Sequence, residues 1–331
     1  MGRNYIVTVL LLFMVGTPSF SSAAEERLPD DNTKEPGFIG AILDGVDQQH
    51  ESLSEYVVGF SETIDTFFVS DDQERQLNYS HLQLGYRYTY YRAKDGGSQF
   101  EPIIDARIHL PRTKNRLTLE VSTSDNEGGG DATAETGAVT TEPSSTLGLG
   151  LGYLGDLAGL FTTKVRGGAK LVGSTVNFYT SLRLYRKLYF EEWTVQLSEK
   201  LYKDSIVKKL ATTELQFERR VTATKLFRAI SQNRYYFDLG YSLNSQTFYM
   251  MHQLSDREAI IYQVGAGWKR LLEEQDNRLE SYYNLVRYSR KVYKDWLYFS
   301  ISPQIQFLEE NDFVPIPLLT MQLTAFLGNK K

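Results

Sequence analysis

The chain of 331 residues has no cysteine, only 9 prolines and, after residue 15, no long apolar run. The absence of cysteine excludes a disulfide scaffold, a thiolate metal site and a cysteine nucleophile. The formal charge of −5, from 36 Lys and Arg against 41 Asp and Glu, gives no support to nucleic-acid binding. A mean hydropathy of −0.35 excludes a bundle of membrane helices.

Aromatic residues, by contrast, are abundant. They make up 13% of the chain, and the 22 Tyr outnumber the 18 Phe. A Tyr side chain has an apolar ring and a polar hydroxyl, so it suits a boundary between water and lipid. This composition favours a protein that lies across such a boundary.

The N-terminal residues have the pattern of a secretory signal peptide. Arg3 precedes an apolar run over residues 5–15, and small residues lead to Ala23 and Ala24. This order predicts a signal peptide over residues 1–23 and export to the periplasm or outer membrane of a Gram-negative cell. Residues 24–36 are then expected to be a linker.

Residues 37–74 are predicted to form an acidic amphipathic α-helix in the periplasm. Apolar residues recur there at steps of three and four, with His50 as the one polar member of the stripe. The stripe consists of Ile39, Ile42, Val46, Leu53, Val57, Phe60, Ile64 and Phe67. Residues 35–74 carry ten acidic residues and no Lys or Arg, so this segment has a charge of −10.

From residue 75 to the C-terminus, the hydrophobic period becomes two, which is typical of β-strands with one apolar and one polar face. Leu82, Leu84 and Tyr86, for example, alternate with polar residues or glycine. The alternation predicts an all-β, transmembrane antiparallel β-barrel of about fourteen strands, with twelve as the alternative because the pattern is weak near 225–253. The predicted strands are 79–91, 100–110, 116–123, 145–154, 160–171, 174–185, 190–201, 207–219, 225–235, 239–253, 258–269, 279–290, 295–307 and 314–327.

Aromatic residues near the strand ends favour a membrane barrel over a soluble sandwich, which alternates in the same way. Tyr185, Tyr189 and Trp193 surround one predicted connection, and Tyr293 and Trp296 surround another. Such residues form girdles where a barrel meets the lipid headgroups. Outer-membrane lipid is therefore the first expected partner.

Three stretches give the chain a resemblance to known proteins: 64–68 (IDTFF), 108–112 (IHLPR) and 293–299 (YKDWLYF). With them, the chain resembles Gram-negative outer-membrane β-barrels, and more closely a group of single-chain barrels that have no assigned activity. The resemblance implies the fold, the outer-membrane location and insertion by the barrel assembly machinery. It brings no activity, so we expect no enzyme and no cofactor.

Six basic residues are predicted to line the lumen. They are Arg107, Arg116, Lys164, Arg166, Lys170 and Arg183. A basic lumen favours anions. The alternative is that glutamates such as Glu120 and Glu214 pair with these cations and close the lumen, and the sequence leaves both interpretations open.

Two other groups of residues are candidates for a catalytic or a metal site. Asp105, Arg107 and His109 share one strand face, but no nucleophile is placed beside them, which favours a lumen network over catalysis. The acidic residues of 125–131 lack the spacing of an EF-hand loop, which favours an external loop over a calcium site.

The charge is divided unequally between the helix and the barrel. Residues 75–331 hold 33 basic and 27 acidic residues, a charge of +6, directly after the −10 segment. Opposite charge could draw the helix to the periplasmic mouth of the barrel as a plug. The alternative is that its apolar stripe binds a periplasmic protein or a second copy of the chain.

Overall fold

The structure is a computed structural model that describes residues 81–92, 96–110, 116–123, 146–157, 160–205, 209–271, 277–294 and 296–328. The predicted signal peptide, linker and acidic helix lie outside these residues, as does the 125–131 loop. No helix in the described part of the chain is long and apolar enough to cross a membrane.

The described residues form one closed antiparallel barrel of fourteen strands. Each strand pairs with its neighbours in sequence, and β1 pairs with β14 to close the sheet. The strands are β1 His81–Tyr91, β2 Gly97–His109, β3 Leu117–Ser122, β4 Thr146–Leu157, β5 Phe161–Val172, β6 Thr175–Phe190, β7 Trp193–Asp204, β8 Lys209–Thr222, β9 Lys225–Tyr236, β10 Tyr241–Gln253, β11 Glu258–Leu271, β12 Asn277–Tyr293, β13 Leu297–Leu308 and β14 Ile316–Gly328. The prediction of a closed all-β barrel is confirmed, with fourteen strands and not twelve.

Alternation along each strand separates the two faces of the sheet. Side chains such as Leu149, Phe178 and Val264 point outward and are about half exposed or more. Inward polar side chains such as Gln306 and Ser198 are almost fully buried, at 2% and 3% exposure. A closed sheet leaves no unpaired strand edge, which is the condition for a sheet inside lipid.

The hairpin between β6 and β7 differs from the prediction. The sequence predicts a connection over residues 186–189 and the next strand from residue 190, but residues 186–190 all continue β6 and pair with β7, as Tyr189 does with Thr194. The connection is a two-residue turn in which Glu191 has a φ of 47°. The aromatic residues that suggested a turn are therefore the last residues of a long strand. At the opposite end of β6, Gly173 supplies the positive φ of 60° that its turn requires.

Candidate functional site: the lumen wall

The strand registers identify which side chains line the lumen. Directly paired residues on neighbouring strands share a face of the sheet. Starting from Thr89, which faces Thr320 across the β1–β14 pair, the registers can be followed around the whole barrel. The lumen-facing positions obtained in this way include nearly all the buried polar side chains.

Charged side chains are concentrated on the lumen side of β1–β9, which we call the charged arc. Eleven cations face the lumen here: Arg87, Arg107, Lys164, Arg166, Lys170, Arg183, Lys187, Lys200, Arg220, Arg228 and Arg234. Seven carboxylates accompany them: Glu101, Asp105, Glu120, Asp156, Asp204, Glu214 and Glu218. The arc therefore has an excess of positive charge.

Glu120 on β3 is the centre of the densest group of charges. Its carboxylate lies 2.9 Å from Lys164 Nζ, 3.1 Å from Arg166 Nε and 3.7 Å from Arg107 Nε. All four side chains are largely buried in the wall, with Arg166 only 6% exposed. One carboxylate thus holds three cations, and the group keeps a net positive charge.

Glycines on β4 allow this group to form. Lys164 and Arg166 lie on β5, so they must reach across β4 to meet Glu120. The lumen-facing residues there include Gly150 and Gly152. A Cβ atom at Gly152 would lie 3.6 Å from Glu120 Oε1, and one at Gly150 would overlap the Tyr179 hydroxyl. The missing side chains leave the space that the cations and Tyr179 occupy.

A second group continues the charged arc. Arg183 on β6 donates to Ser198 Oγ at 3.2 Å and contacts Glu214 Oε1 at 3.5 Å. Gln232 on β9 donates to the other Glu214 oxygen at 3.0 Å. Further along, Arg228 pairs with Glu218 at 2.5 Å. These contacts join strands one or two apart, so they run along the wall.

Aromatic and amide groups complete the arc toward its β5–β7 side. The ammonium groups of Lys170 and Lys200 each lie 5.5 Å from the centre of the Tyr202 ring. The Tyr202 hydroxyl donates to Asp204 at 3.4 Å, and Asn177 donates to the same carboxylate oxygen at 3.1 Å. The lysines therefore lie beside a fixed aromatic and amide surface.

The lumen side of β10–β14, which we call the amide–hydroxyl arc, is lined mainly by Gln, Ser, Thr and Tyr. Gln263 donates to the Tyr283 hydroxyl at 2.6 Å, and Gln304 donates to Gln306 at 3.2 Å. Glu280 lies at a register irregularity of β12, and the other described lumen-facing positions of these five strands hold no carboxylate. They include four cations: Lys269, Arg278, Arg287 and Lys291.

The structure places five of the six predicted lumen residues on lumen-facing strand positions and brings three of them together at Glu120. Lys170 and Arg183 lie further along the same arc. Arg116 is exposed, one residue before β3, and its carbonyl accepts a hydrogen bond from the Leu154 amide at 2.6 Å. Asp105 faces the lumen opposite Gln83, and the His109 side chain lies outside the described residues.

Sequence reasoning did not identify Glu120 as a shared centre or the amide–hydroxyl arc as a surface. The glycines at every second position of β4 were a usable signal for the first of these. For a metal, the described residues offer no group of three or more His, Asp or Glu side chains that could bind an ion.

No protein-family model and no curated protein sequence matches the chain. Among solved structures, it is similar to a loop-deletion mutant of OmpT, an outer membrane protein of Vibrio cholerae, with 9% identity, a TM-score of 0.46 and coverage of 76% of this chain and 100% of that one. It is also similar to the outer membrane channel DcaP of Acinetobacter baumannii, with 7% identity, a TM-score of 0.43 and coverage of 76% and 96%. The KdgM porin follows, with 9% identity, a TM-score of 0.36 and coverage of 73% and 98%.

The likeness to these structures concerns the fold alone. The outer face of the barrel is a band of exposed apolar side chains, its inner face is polar, and its sheet is closed. Those three properties together define a transmembrane β-barrel. The protein is a fourteen-stranded barrel of the outer-membrane type.

Proposed function

We propose that this barrel is a passage for small hydrophilic solutes with a preference for anions. The observation that carries the proposal is the group at Glu120, where one carboxylate faces Lys164, Arg166 and Arg107. Two of the three positive charges have no matching negative charge within the group. Fixed cations in a pore wall raise the local concentration of anions.

The distribution of the remaining charges supports the same preference. Cations outnumber carboxylates on the charged arc, and the opposite arc adds four more cations to the lumen wall. Neutral amides and hydroxyls on β10–β14 offer hydrogen bonds to the uncharged part of a solute. The favoured solute class is therefore a small anion with several hydrogen-bonding groups.

Single-channel recording in planar bilayers tests this proposal. We expect discrete conductance steps and, across a KCl gradient, a reversal potential with the sign of chloride selectivity. In the double variant Lys164→Gln and Arg166→Gln, the preference should fall toward that of bulk KCl. Glu192→Gln, on the exposed pair with Arg219, is the matched control and should leave selectivity unchanged.

The predicted helix over residues 37–74 is the proposed regulator of this passage. Its charge of −9 would be attracted to the positive lumen wall and would limit flow at the periplasmic mouth. Deleting residues 25–74 should then raise the mean conductance. Unchanged conductance, together with the loss of a co-purifying periplasmic protein, would contradict the plug and favour a partner-binding helix.

The alternative function is a non-conducting barrel that binds a partner through its helix or loops. The observation in its favour is that the shortest ion pairs link strands one or two apart along the wall and hold their side chains in place. The same recordings distinguish the two functions. A barrel that inserts but shows no conductance, with or without residues 25–74, would support the alternative.

A further inference from the structure

The outer face of the barrel has a polar patch that the lumen function does not explain. Four outward residues form one continuous row of direct cross-strand partners: Glu199 on β7, Thr213 on β8, Asn233 on β9 and Asn244 on β10. In the adjacent row, Ser231 and Gln246 are paired with each other. We call these six residues the polar patch.

Hydrogen bonds fix part of the patch. Thr213 Oγ1 donates to Glu199 Oε2 at 2.6 Å, and Asn233 Nδ2 donates to Asn244 Oδ1 at 2.7 Å. Thr213, Ser231 and Gln246 are exposed, and the other three are half-buried. The patch therefore presents donors and acceptors to its surroundings.

The patch lies inside the band where most other outward residues are apolar, Asn284 on β12 being an exception. On β8 the outward residues Lys209 and Arg219 bracket Thr213. Ten residues at about 3.4 Å each, tilted by about 40°, span about 26 Å of height, close to the apolar band of such barrels. Thr213 then lies about 10 Å inside one edge of that band, and Ser231, which is paired with Leu215, lies about 10 Å inside the other.

Four strands away from the polar patch show an apolar outer face. The outward faces of β13, β14, β1 and β4 carry Leu, Ile, Phe, Tyr, Met, Pro and Ala at their central positions. Acyl chains offer no hydrogen bonds, so lipid cannot satisfy the donors and acceptors that the two hydrogen bonds within the patch leave over. A protein surface in the membrane satisfies them better than lipid does.

We propose that the polar patch is the interface for a second copy of this chain. Two copies in one membrane have the same orientation, so a two-fold axis along the membrane normal brings each residue to the height of its own counterpart. Asn and Gln carry both a donor and acceptor, which makes rows of them complementary to themselves. This interface does not depend on whether the barrel conducts.

Small side chains next to the patch allow the two sheets to approach closely. Ala211, Ala229 and Ala266 are outward residues on β8, β9 and β11. Ala266 is paired directly with Gln246, and Ala229 is paired with Phe248 on the same strand as Gln246. Small residues at a membrane interface let backbones come close enough for side-chain amides to meet.

Cysteine cross-linking in the native membrane tests the interface, because the chain has no cysteine of its own. The single variants Ser231→Cys and Gln246→Cys are each oxidised with copper–phenanthroline in outer-membrane vesicles. Each should give a dimer in most of the folded protein. Leu149→Cys, an exposed position on β4, is the matched control and should remain monomeric. Equal cross-linking at all three positions, or none at 231 and 246, would overturn the proposal.

A second measurement separates assembly from folding. The double variant Ser231→Ala and Gln246→Leu should weaken dimerisation at least ten-fold by native mass spectrometry, while the protein keeps the shifted gel mobility of a folded barrel. Removing polar groups from a lipid-facing surface does not threaten the barrel itself. An unchanged dimer, or a trimer in either protein, would contradict a two-fold interface at this patch.

Discussion

The two arcs of the lumen wall consist of different strands with the same alternation, yet they satisfy their buried polar groups in different ways. On β1–β9, cations are held by fewer carboxylates, and Glu120 alone serves three of them. On β10–β14, neutral side chains satisfy one another, as Gln263 and Tyr283 do. The first arrangement fixes ion pairs in the wall, and the second fixes a hydrogen-bonding surface of mainly neutral side chains.

This difference predicts which arc controls the stability of the barrel and its ion selectivity. A buried carboxylate shared by three cations costs much to remove, because the cations remain in place without it. A neutral amide pair costs less to lose. The charged arc should therefore dominate both the response to mutation and the choice between anions and cations.

The largest effect is expected from Glu120→Gln. The substitution leaves Arg107, Lys164 and Arg166 together without a countercharge, which should destabilise the barrel by about 3 kcal/mol. Urea unfolding in lipid vesicles, followed by tryptophan fluorescence, measures the change. Glu192→Gln, on a pair that is 43% and 65% exposed, is the control and should cost less than about 1 kcal/mol. Equal effects would show that the Glu120 group is not a stabilising centre.

Gly265→Val should have the next largest effect, this time in the amide–hydroxyl arc. A Cβ at Gly265 would lie 2.5 Å from a ring carbon of Tyr283, which covers this glycine from the next strand. Displacing that ring and its bond to Gln263 should cost about 2 kcal/mol in the same unfolding assay. Gly167→Val faces outward with no side chain within 4 Å of a Cβ, so it should change stability by less than about 1 kcal/mol.

Both arcs use this contact between a tyrosine and a glycine. Tyr179 is paired with Gly168 in the charged arc, as Tyr283 is with Gly265 in the other. If Gly265→Val were as mild as Gly167→Val, the close contact would have no energetic role. The two arcs would then differ in charge alone.

The fold could be predicted from the sequence because the strands of a barrel repeat the same alternation of apolar and polar residues. Strict alternation in segments such as 297–307 predicted both the strand and its outward face. The aromatic residues misled at 186–190, since strand ends and turns carry the same residue types and only pairing with β7 shows that β6 continues. Local pattern therefore identifies strands better than it identifies their ends.

The site was less predictable, because ion pairs depend on register between strands. Alternation identified Lys164 and Arg166 as inward residues, but their carboxylate lies on β3, beyond an intervening strand. Nothing in the local pattern of β5 specifies that distance. The polar patch was missed for a related reason: Glu199 and Asn233 become neighbours only after β7, β8 and β9 are aligned.

A smaller effect is expected when charge is added to the amide–hydroxyl arc. Gln322 faces the lumen and donates to Thr324 at 2.9 Å. One unit charge about 10 Å from a passing ion in water changes its energy by about 0.4 kcal/mol, or about two-fold in permeability. Gln322→Glu should therefore lower the chloride preference about two-fold and Gln322→Lys should raise it, as measured by reversal potential. Shifts of the same sign would exclude a direct charge effect.

The smallest effect is expected at the seam where the two arcs meet, between β14 and β1. Thr89 and Thr320 face each other there with their hydroxyl oxygens 3.4 Å apart, near the limit for a hydrogen bond. Thr89→Val keeps the shape of the side chain and removes one weak contact, which should cost less than about 1 kcal/mol. The unfolding assay used for Glu120→Gln measures this change under the same conditions. A loss as large as that of Glu120→Gln would mean that closure of the barrel depends on this seam, and stability would then reside in the β1–β14 pair and not in the charged arc.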